Sequence, residues 1–183
     1  MSDAVQASAP GLGVLFVCTA NISRSPWLEL TARHRAGPRS GVRFSSAGTH
    51  GTDGTTMDPA MVPLLDDPAA ADQFRSRALT PMLLRGADLV LTAQHSHRDW
   101  ILTEHPDLFR RVFVLGQLAS TVAARPSERG RALVAWAARH RDRPRDEHDV
   151  ADPFRRGDAA ARTAACTMST MLSMILPLLE ETV

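Results

Sequence analysis

The sequence has 183 residues, 44% hydrophobic and 22% charged, with a net charge of +1, which fits one ordinary globular domain. All 21 basic residues are arginine, tyrosine is absent, and the only cysteines are Cys18 and Cys166. The lack of lysine excludes Schiff-base chemistry and a Walker-type nucleotide loop, and two distant cysteines exclude a Cys-rich zinc module and a disulfide framework.

The elements follow from the spacing of apolar residues and from turn signals. The first 12 residues are small and polar and predict a flexible N-terminal tail, and residues 13–183 are expected to form a single domain. Strands are expected at 14–17, 42–45, 89–91 and 112–115, and helices at 27–35, 58–65, 82–85, 95–104, 127–141 and 158–179. Residues 116–148 are expected to be a longer connection with an extra helix.

Two features refine the helices. Ser25-Pro26 and Thr80-Pro81 each predict an N-cap followed by proline at the first helical position. The spacing in the last helix predicts a core-facing side. The residues expected on that side are Cys166, Met168, Met171, Ile175 and Leu178.

Strands that alternate with helices predict an α/β fold of three layers. We expect a four-stranded, doubly wound parallel sheet with helices on both faces. In such sheets ligands bind beyond the carboxyl ends of the strands. Cys18 directly follows the first strand and therefore lies where a site is expected.

The loop after the first strand has the character of an anion site. It reads Cys18-Thr19-Ala20-Asn21-Ile22-Ser23-Arg24-Ser25. Its backbone N–H groups and the next helix N-terminus can surround one anion, and Arg24 adds a planar fork that matches two phosphate oxygens. The same field favours a thiolate at Cys18, to which Ser25 can donate a hydrogen bond. This arrangement suits displacement at phosphorus through a phosphocysteine intermediate. Asn21 tolerates the positive φ that a tight anion loop needs.

At these residues the chain resembles the low-molecular-weight protein-tyrosine-phosphatases. Their signature is an apolar strand followed by Cys, five residues, Arg, Ser and Pro. Three later motifs agree in order and spacing. They are Ser46-Ala47-Gly48-Thr49, Ala87-Asp88-Leu89-Val90-Leu91-Thr92 and Asp152-Pro153-Phe154. The resemblance covers about residues 13–118 and 148–181 and implies a flavodoxin-like, phosphotyrosine phosphatase I-like fold.

The resemblance also implies the roles of individual residues. Cys18 would be the nucleophile, Arg24 the phosphate clamp and Asp152 the general acid that later becomes the base. Asp53 and Asp58 are other carboxylates that could serve as the acid. The expected substrate rim consists of Phe154, His50 and Arg155. No metal and no cofactor are expected, because backbone amides and Arg24 supply the positive field.

The chain departs from the family pattern at several positions. Ala20 replaces the usual glycine, which would carry a steric cost if that position needed positive φ. Ser23 stands where the family often has a second cysteine that traps an oxidised nucleophile. Phe154 is followed by Arg155 rather than by a second aromatic residue. The loop after Thr49, residues 50–54, contains no Phe, Tyr or Trp.

Three other functions compete with a tyrosine phosphatase. A phosphate- or phosphoprotein-binding module would not need the thiol or the acid. An arsenate reductase of the same fold would need two further cysteines. A protein-arginine phosphatase carries Thr where this chain has Ile22, and an apolar side chain there favours an aromatic leaving group.

Compartment and partners follow from composition. Met1–Pro10 lacks the features of a signal peptide, and no apolar run of 18 residues occurs, so we expect a cytoplasmic protein without a membrane partner. Positive and negative residues alternate in the Arg-rich segment 139–147, which argues against nucleic-acid binding. The expected partner is a phosphotyrosine protein, with a bacterial-type tyrosine kinase as a candidate.

Overall fold

The computed structural model describes residues 11–180. A parallel four-stranded sheet forms its centre, in the order β2-β1-β3-β4. The strands are β1 (Leu12–Cys18), β2 (Val42–Gly48), β3 (Leu89–Thr92) and β4 (Val112–Val114). Every residue of β1 is buried, as expected for a central strand that is covered on both faces.

Six α-helices cover the sheet in the described part of the chain. They are α1 (Arg24–Ala36), α2 (Pro81–Arg85), α3 (His95–Glu104), α4 (Leu115–Val122), α5 (Gly130–His140) and α6 (Gly157–Leu179). Short 3₁₀ helices occupy Val62–Leu64, Pro68–Gln73, Pro106–Arg110 and Asp146–His148. Side chains of β1 alternate between two apolar clusters, with Val14 and Phe16 in one and Leu15 and Val17 in the other. The predicted three-layer α/β fold is therefore confirmed.

The topology places the site. From β1 the chain passes to β2 on one side, and β3 later pairs with the opposite side of β1. The crevice at the carboxyl ends of β1 and β3 is therefore the point where the strand order reverses, which is where such sheets bind ligands. Cys18 ends β1 at this crevice and lies opposite Gly48 of β2.

Several predicted elements were wrong in extent. The helix expected at 58–65 is only the 3₁₀ turn Val62–Leu64, because Pro63 has no N–H and its ring clashes with the preceding helical turn. The single extra helix expected at 127–141 is α5, and a second helix, α4, precedes it. The fourth strand ends at Val114, and Leu115 already begins α4. The strand was expected to include Leu115, because the apolar run continues across that boundary.

Helix starts and faces also differ from expectation. Thr80 is the N-cap of α2 and accepts a hydrogen bond from the N–H of Leu83, as predicted. Ser25 is not an N-cap, because α1 already begins at Arg24. Cys166 is exposed, contrary to its expected core position, since the buried residues of α6 follow a period that leaves it on the outer side.

Two expectations concern the ends of the chain, namely the flexible N-terminal tail and the absence of a membrane-spanning segment. Residues 1–10 of the predicted tail lie outside the described residues, and Leu12 already belongs to β1. By length and composition, α6 is the one described helix that could cross a membrane, whereas no such segment was expected. Seven of its residues are buried in the protein, and core helices of folded domains meet the same criterion.

Candidate active site

The loop that joins β1 to α1 is held in place by the segment that follows β2. The N–H of Thr49 donates to the carbonyl of Cys18 (3.0 Å), and the N–H of His50 donates to the carbonyl of Thr19 (2.8 Å). A Cβ on Gly48 would lie 2.6 Å from the carbonyl oxygen of Thr19 and 2.9 Å from the backbone nitrogen of Asn21. Only glycine permits this close approach, so Gly48 sets the position of the loop.

Asn21 organises the loop from within. Its φ is +57°, and its side chain is fully buried. Nδ2 donates to the hydroxyls of Ser25 (2.9 Å) and Ser46 (2.8 Å), while Oδ1 accepts from the N–H of Arg77 (2.9 Å). Ala20 is not among the described non-glycine residues with positive φ. The steric cost that was expected if Ala20 had a positive φ therefore does not arise.

Cys18 lies at the floor of this loop. Its side chain is buried, and its Sγ is 3.0 Å from the hydroxyl oxygen of Ser25. Ser25 accepts a hydrogen bond from Asn21, and its single hydroxyl hydrogen has two acceptors within reach, Sγ at 3.0 Å and the carbonyl of Ala47 at 3.4 Å. Ser25 belongs to the first turn of α1, so the positive end of this helix lies beside the sulfur at the floor of the loop.

Arg24 is buried beside the loop and reaches three other parts of the chain. Nη1 donates to Oε1 of Gln94 (2.7 Å) and to the carbonyl of Val150 (3.0 Å). Nη2 lies 3.4 Å from the hydroxyl of Thr19 and forms an ion pair with Asp152. Nε is buried and has no protein partner. A buried donor without a partner is costly, and an oxyanion in the loop would satisfy it.

Asp152 comes to the site on a loop that is anchored to α3 and β3. The N–H of Val150 donates to the carbonyl of Ala93 (2.8 Å), and both carboxylate oxygens of Asp149 contact His95, at its N–H (2.7 Å) and at Nδ1 (2.8 Å). This anchoring leaves Oδ2 of Asp152 3.0 Å from Nη2 of Arg24, with a side chain that is 42% exposed. The carboxylate is therefore close to the loop and open to a substrate.

The two alternative carboxylates have structural partners. Asp58 accepts a hydrogen bond from the hydroxyl of Ser23 (2.8 Å) and another from the N–H of Ala60 (3.1 Å), so it supports the loop from outside. Asp53 accepts from the N–H of Ala78 (2.8 Å). Of the three candidate acids, Asp152 is the one that pairs with Arg24.

The rim is more aromatic than the sequence indicated. Phe154 is 40% exposed, and the guanidinium of Arg155 lies 5.1 Å from the centre of its ring. The imidazole of His50 contacts the indole of Trp100, with ring centres 5.9 Å apart. Trp100 belongs to α3 and is 41% exposed. Sequence reasoning missed it because nothing local connects residue 100 to the loop after β2.

Two more residues near the loop were missed. Gln94 holds Arg24, as described above, and His97 contacts Thr19 through Nε2 (2.9 Å). Burial, with a smaller contribution from the charge of Arg24, lowers the pKa of His97 to about 4. Both follow β3, whose carboxyl end lies beside that of β1 in the sheet, so the predicted topology was the only sequence signal for them.

The remaining predicted loop residues lie where the sequence placed them. Ile22 is half-buried and accepts the N–H of Asp58 on its carbonyl, and Ser23 is buried. In the Arg-rich segment, Arg141 donates to the carbonyl of Val112 (2.7 Å) and covers the ring of Phe113 at 4.4 Å. No group of three or more His, Cys, Asp or Glu side chains within residues 11–180 could hold a metal ion.

The chain is similar in sequence to a known protein family and to individual relatives. Residues 13–181 match the family model for low molecular weight phosphotyrosine protein phosphatase. The chain is 31% identical over 114 residues to the probable low molecular weight protein-tyrosine-phosphatase EpsP of Ralstonia nicotianae. The aligned part is 62% of this chain and 77% of that relative. It is 33% identical over 106 residues to a protein-arginine-phosphatase of Bacillus subtilis, covering 57% and 70%.

A solved structure agrees with the sequence relatives. The crystal structure of a YwlE mutant from Bacillus subtilis superposes with a TM-score of 0.71 at 25% identity, covering 92% of this chain and 99% of that chain. The structural similarity covers 92% of this chain. The family model spans residues 13–181 and so includes the region from 119 to 147, where no motif had indicated a relationship.

Proposed function

The chain belongs to the low molecular weight phosphotyrosine protein phosphatase family, which is a family of hydrolases, and we propose that it hydrolyses phosphotyrosine and other aryl phosphate monoesters. The observation that carries this proposal is the convergence of three groups. Cys18 lies at the floor of an anion loop, and Arg24 and Asp152 are paired at its edge at 3.0 Å. A nucleophile, a clamp and an acid are the groups that this reaction requires.

In the first step, the thiolate of Cys18 attacks phosphorus, and the bond from phosphorus to the ester oxygen breaks. Arg24 and the loop N–H groups hold the non-reacting oxygens and offset their charge in the transition state. Asp152 donates its proton to the leaving oxygen, so the phenol departs neutral. The products of this step are the free phenol and a phosphocysteine at Cys18.

In the second step, the carboxylate of Asp152 takes a proton from water, and the water oxygen attacks phosphorus. The S–P bond breaks, inorganic phosphate forms, and Asp152 is protonated again for the next turnover. The hydroxyl of Ser25, 3.0 Å from Sγ, donates to the departing thiolate. These residues supply the positive field and the proton transfers, and we therefore propose that the reaction is independent of metal.

Phosphotyrosine is the substrate class that the rim supports best. Phe154 and Trp100 offer aromatic faces that can contact a phenyl ring, and Ile22 is an apolar side chain in the loop. The similarity to a protein-arginine-phosphatase makes phosphoarginine the second candidate, in which a P–N bond is cleaved. The same three catalytic groups would serve it, so the rim decides between the two substrates.

The setting is also part of the proposal. We place the protein in the cytoplasm, since a nucleophilic Cys18 has to stay reduced. The substrate is a phosphotyrosine protein, and an opposing kinase of bacterial type is the candidate source of that phosphate. The proposal includes neither a nucleic-acid nor a membrane partner.

The deciding experiment measures hydrolysis of p-nitrophenyl phosphate in the presence of a metal chelator. We expect turnover in the wild-type protein, none in Cys18→Ser, and a higher kcat/KM for a phosphotyrosine peptide than for phosphoarginine. Undiminished turnover by Cys18→Ser would exclude the phosphocysteine route. Tight phosphate binding without any hydrolysis would instead identify a binding module.

A further inference from the structure

His97 is a buried histidine that the proposed reaction does not use. It lies in the first turn of α3 and is 6% exposed. Its Nε2 is 2.9 Å from the hydroxyl oxygen of Thr19, the second residue of the anion loop. Its Nδ1 is buried and has no hydrogen-bond partner.

The protonation of this ring determines which atom donates. Its pKa of about 4, set by burial and then by the charge of Arg24, keeps the imidazole neutral near pH 7, with one N–H. A hydrogen on Nδ1 would be a buried donor without an acceptor, which costs more than an unused lone pair. The hydrogen is therefore assigned to Nε2, which donates to Thr19.

Thr19 then accepts from two sides. Nη2 of Arg24 lies 3.4 Å from the same hydroxyl oxygen, and a guanidinium can only donate. With His97 and Arg24 both donating, the two lone pairs of the oxygen are occupied. The single hydroxyl hydrogen of Thr19 has to point elsewhere, and Thr19 is exposed at the mouth of the loop.

We propose that His97 is a positioning residue that directs the hydroxyl hydrogen of Thr19 toward the phosphoryl group bound in the loop. The side chain of Thr19 thereby becomes a phosphate donor in addition to the backbone amides and Arg24. This inference rests on the proposed phosphoryl chemistry of the same site. It also accounts for a neutral histidine beside an arginine, because a charged ring would repel Arg24.

The test measures binding of inorganic phosphate by calorimetry in a Cys18→Ser background, so that the readout does not depend on turnover. Thr19→Val removes the hydroxyl at nearly constant volume, and His97→Leu removes the ring donor. His97→Gln is the matched control, because its amide can place an N–H near the position of Nε2. The double variant Thr19→Val/His97→Leu measures the coupling between the two residues.

We expect Thr19→Val and His97→Leu each to weaken phosphate binding by roughly tenfold, the loss of a hydrogen bond to a charged group. The double variant should lose no more than either single variant, and His97→Gln should stay within about threefold of the background protein. Unchanged affinity in Thr19→Val, or losses that multiply in the double variant, would overturn the proposal. If His97→Leu does not fold, Thr19→Val and His97→Gln decide.

Different results would refute the proposed function and the role of His97. A chain that binds phosphate with this pattern of losses but hydrolyses nothing would refute the proposed function and leave the role of His97 intact. A chain that hydrolyses aryl phosphates while Thr19→Val binds phosphate normally would refute only the role of His97 and Thr19.

Discussion

Arg24 and Asp152 form an ion pair across the mouth of the anion loop, with Nη2 and Oδ2 3.0 Å apart. The two side chains differ in their surroundings, since that of Arg24 is 2% exposed and that of Asp152 is 42% exposed. The pair therefore joins a buried guanidinium to a carboxylate that is open to solvent. A phosphoryl group that engages Arg24 can release the carboxylate toward the leaving oxygen.

Asp152→Asn should separate the acid role from binding. We expect kcat for a phosphotyrosine peptide to fall by about 10²- to 10⁴-fold, because the leaving phenolate is no longer protonated. The fall should be much smaller for 2,4-dinitrophenyl phosphate, whose leaving group departs without a proton. Steady-state kinetics on both substrates measures this, with Asp53→Asn as the control carboxylate. An equal loss on both substrates would contradict an acid role for Asp152.

Trp100→Leu should affect aromatic substrates selectively. An aromatic contact contributes about 0.5–1.5 kcal/mol beyond buried area, so kcat/KM for a phosphotyrosine peptide should fall roughly two- to tenfold. Turnover of acetyl phosphate, which has no ring, should be unchanged. Phe109→Leu is the matched control, since Phe109 is also exposed and belongs to another part of the surface. Equal losses on both substrates would place Trp100 outside the substrate rim.

His97 should make folding stability depend on pH. Its folded pKa of about 4 lies below the usual 6.5, so between these values the unfolded chain binds a proton that the folded protein does not. Stability therefore falls as the pH drops through this window, by up to roughly 3 kcal/mol from this group. The groups that face His97 are Arg24, Asp152, His50 and His95.

Denaturant unfolding at pH 7 and pH 4 measures this contribution. His97→Gln lacks the titrating ring and should lose correspondingly less stability between the two pH values than the wild-type protein. His140→Gln, which changes an exposed histidine on α5, should behave like the wild type. Parallel pH curves for His97→Gln and wild type would refute the prediction.

Peroxide should inactivate the protein with little recovery on adding a thiol reductant. Peroxide oxidises Cys18 to a sulfenic acid, which a neighbouring thiol would convert to a reducible disulfide with loss of water. Without that thiol, a second peroxide oxidises the sulfenic acid to a sulfinic acid, which thiol reductants do not reverse. The only other cysteine, Cys166, faces outward from α6, and Ser23 in the loop has no thiol. Activity assays after peroxide and then reductant measure the effect.

A gain-of-function variant sharpens this test. Ser23→Cys restores a thiol within the loop and should make the inactivation reversible, while Cys166→Ser should change nothing. Full recovery of the wild-type protein by reductant would show that Cys18 is protected by another route.

The local parts of the site could be predicted from the sequence, because short segments determine them. Cys18 and Arg24 lie on one loop between a buried strand and a helix, and Asn21 has the positive φ that its residue type tolerates. Trp100 and His97 could not be predicted, since they reach the loop only through the packing of α3 beside β3. Their contacts join residues 50 and 78 positions apart in the chain.

The errors in secondary structure have local causes. The helix α4 was hidden because the apolar run of β4 continues into Leu115 without a polar boundary. The helix expected from Asp58 is interrupted by Pro63, a local signal in the sequence that the prediction did not take into account. Cys166 was placed on the wrong side of α6, because the first half of the helix buries mainly alanine, which marks the core side only weakly.

The partners of Arg24 come from parts of the chain that are synthesised well after the loop itself. Its guanidinium is held by Gln94, 70 residues later in the chain, and by the carbonyl of Val150, 126 residues later. A nascent chain released only as far as α5 contains the nucleophile and the complete loop but has neither Val150 nor the acid. Such a fragment can hold Arg24 through Gln94 but lacks the carbonyl of Val150 and the carboxylate of Asp152, so the site is complete only after residues 150–152 have been added.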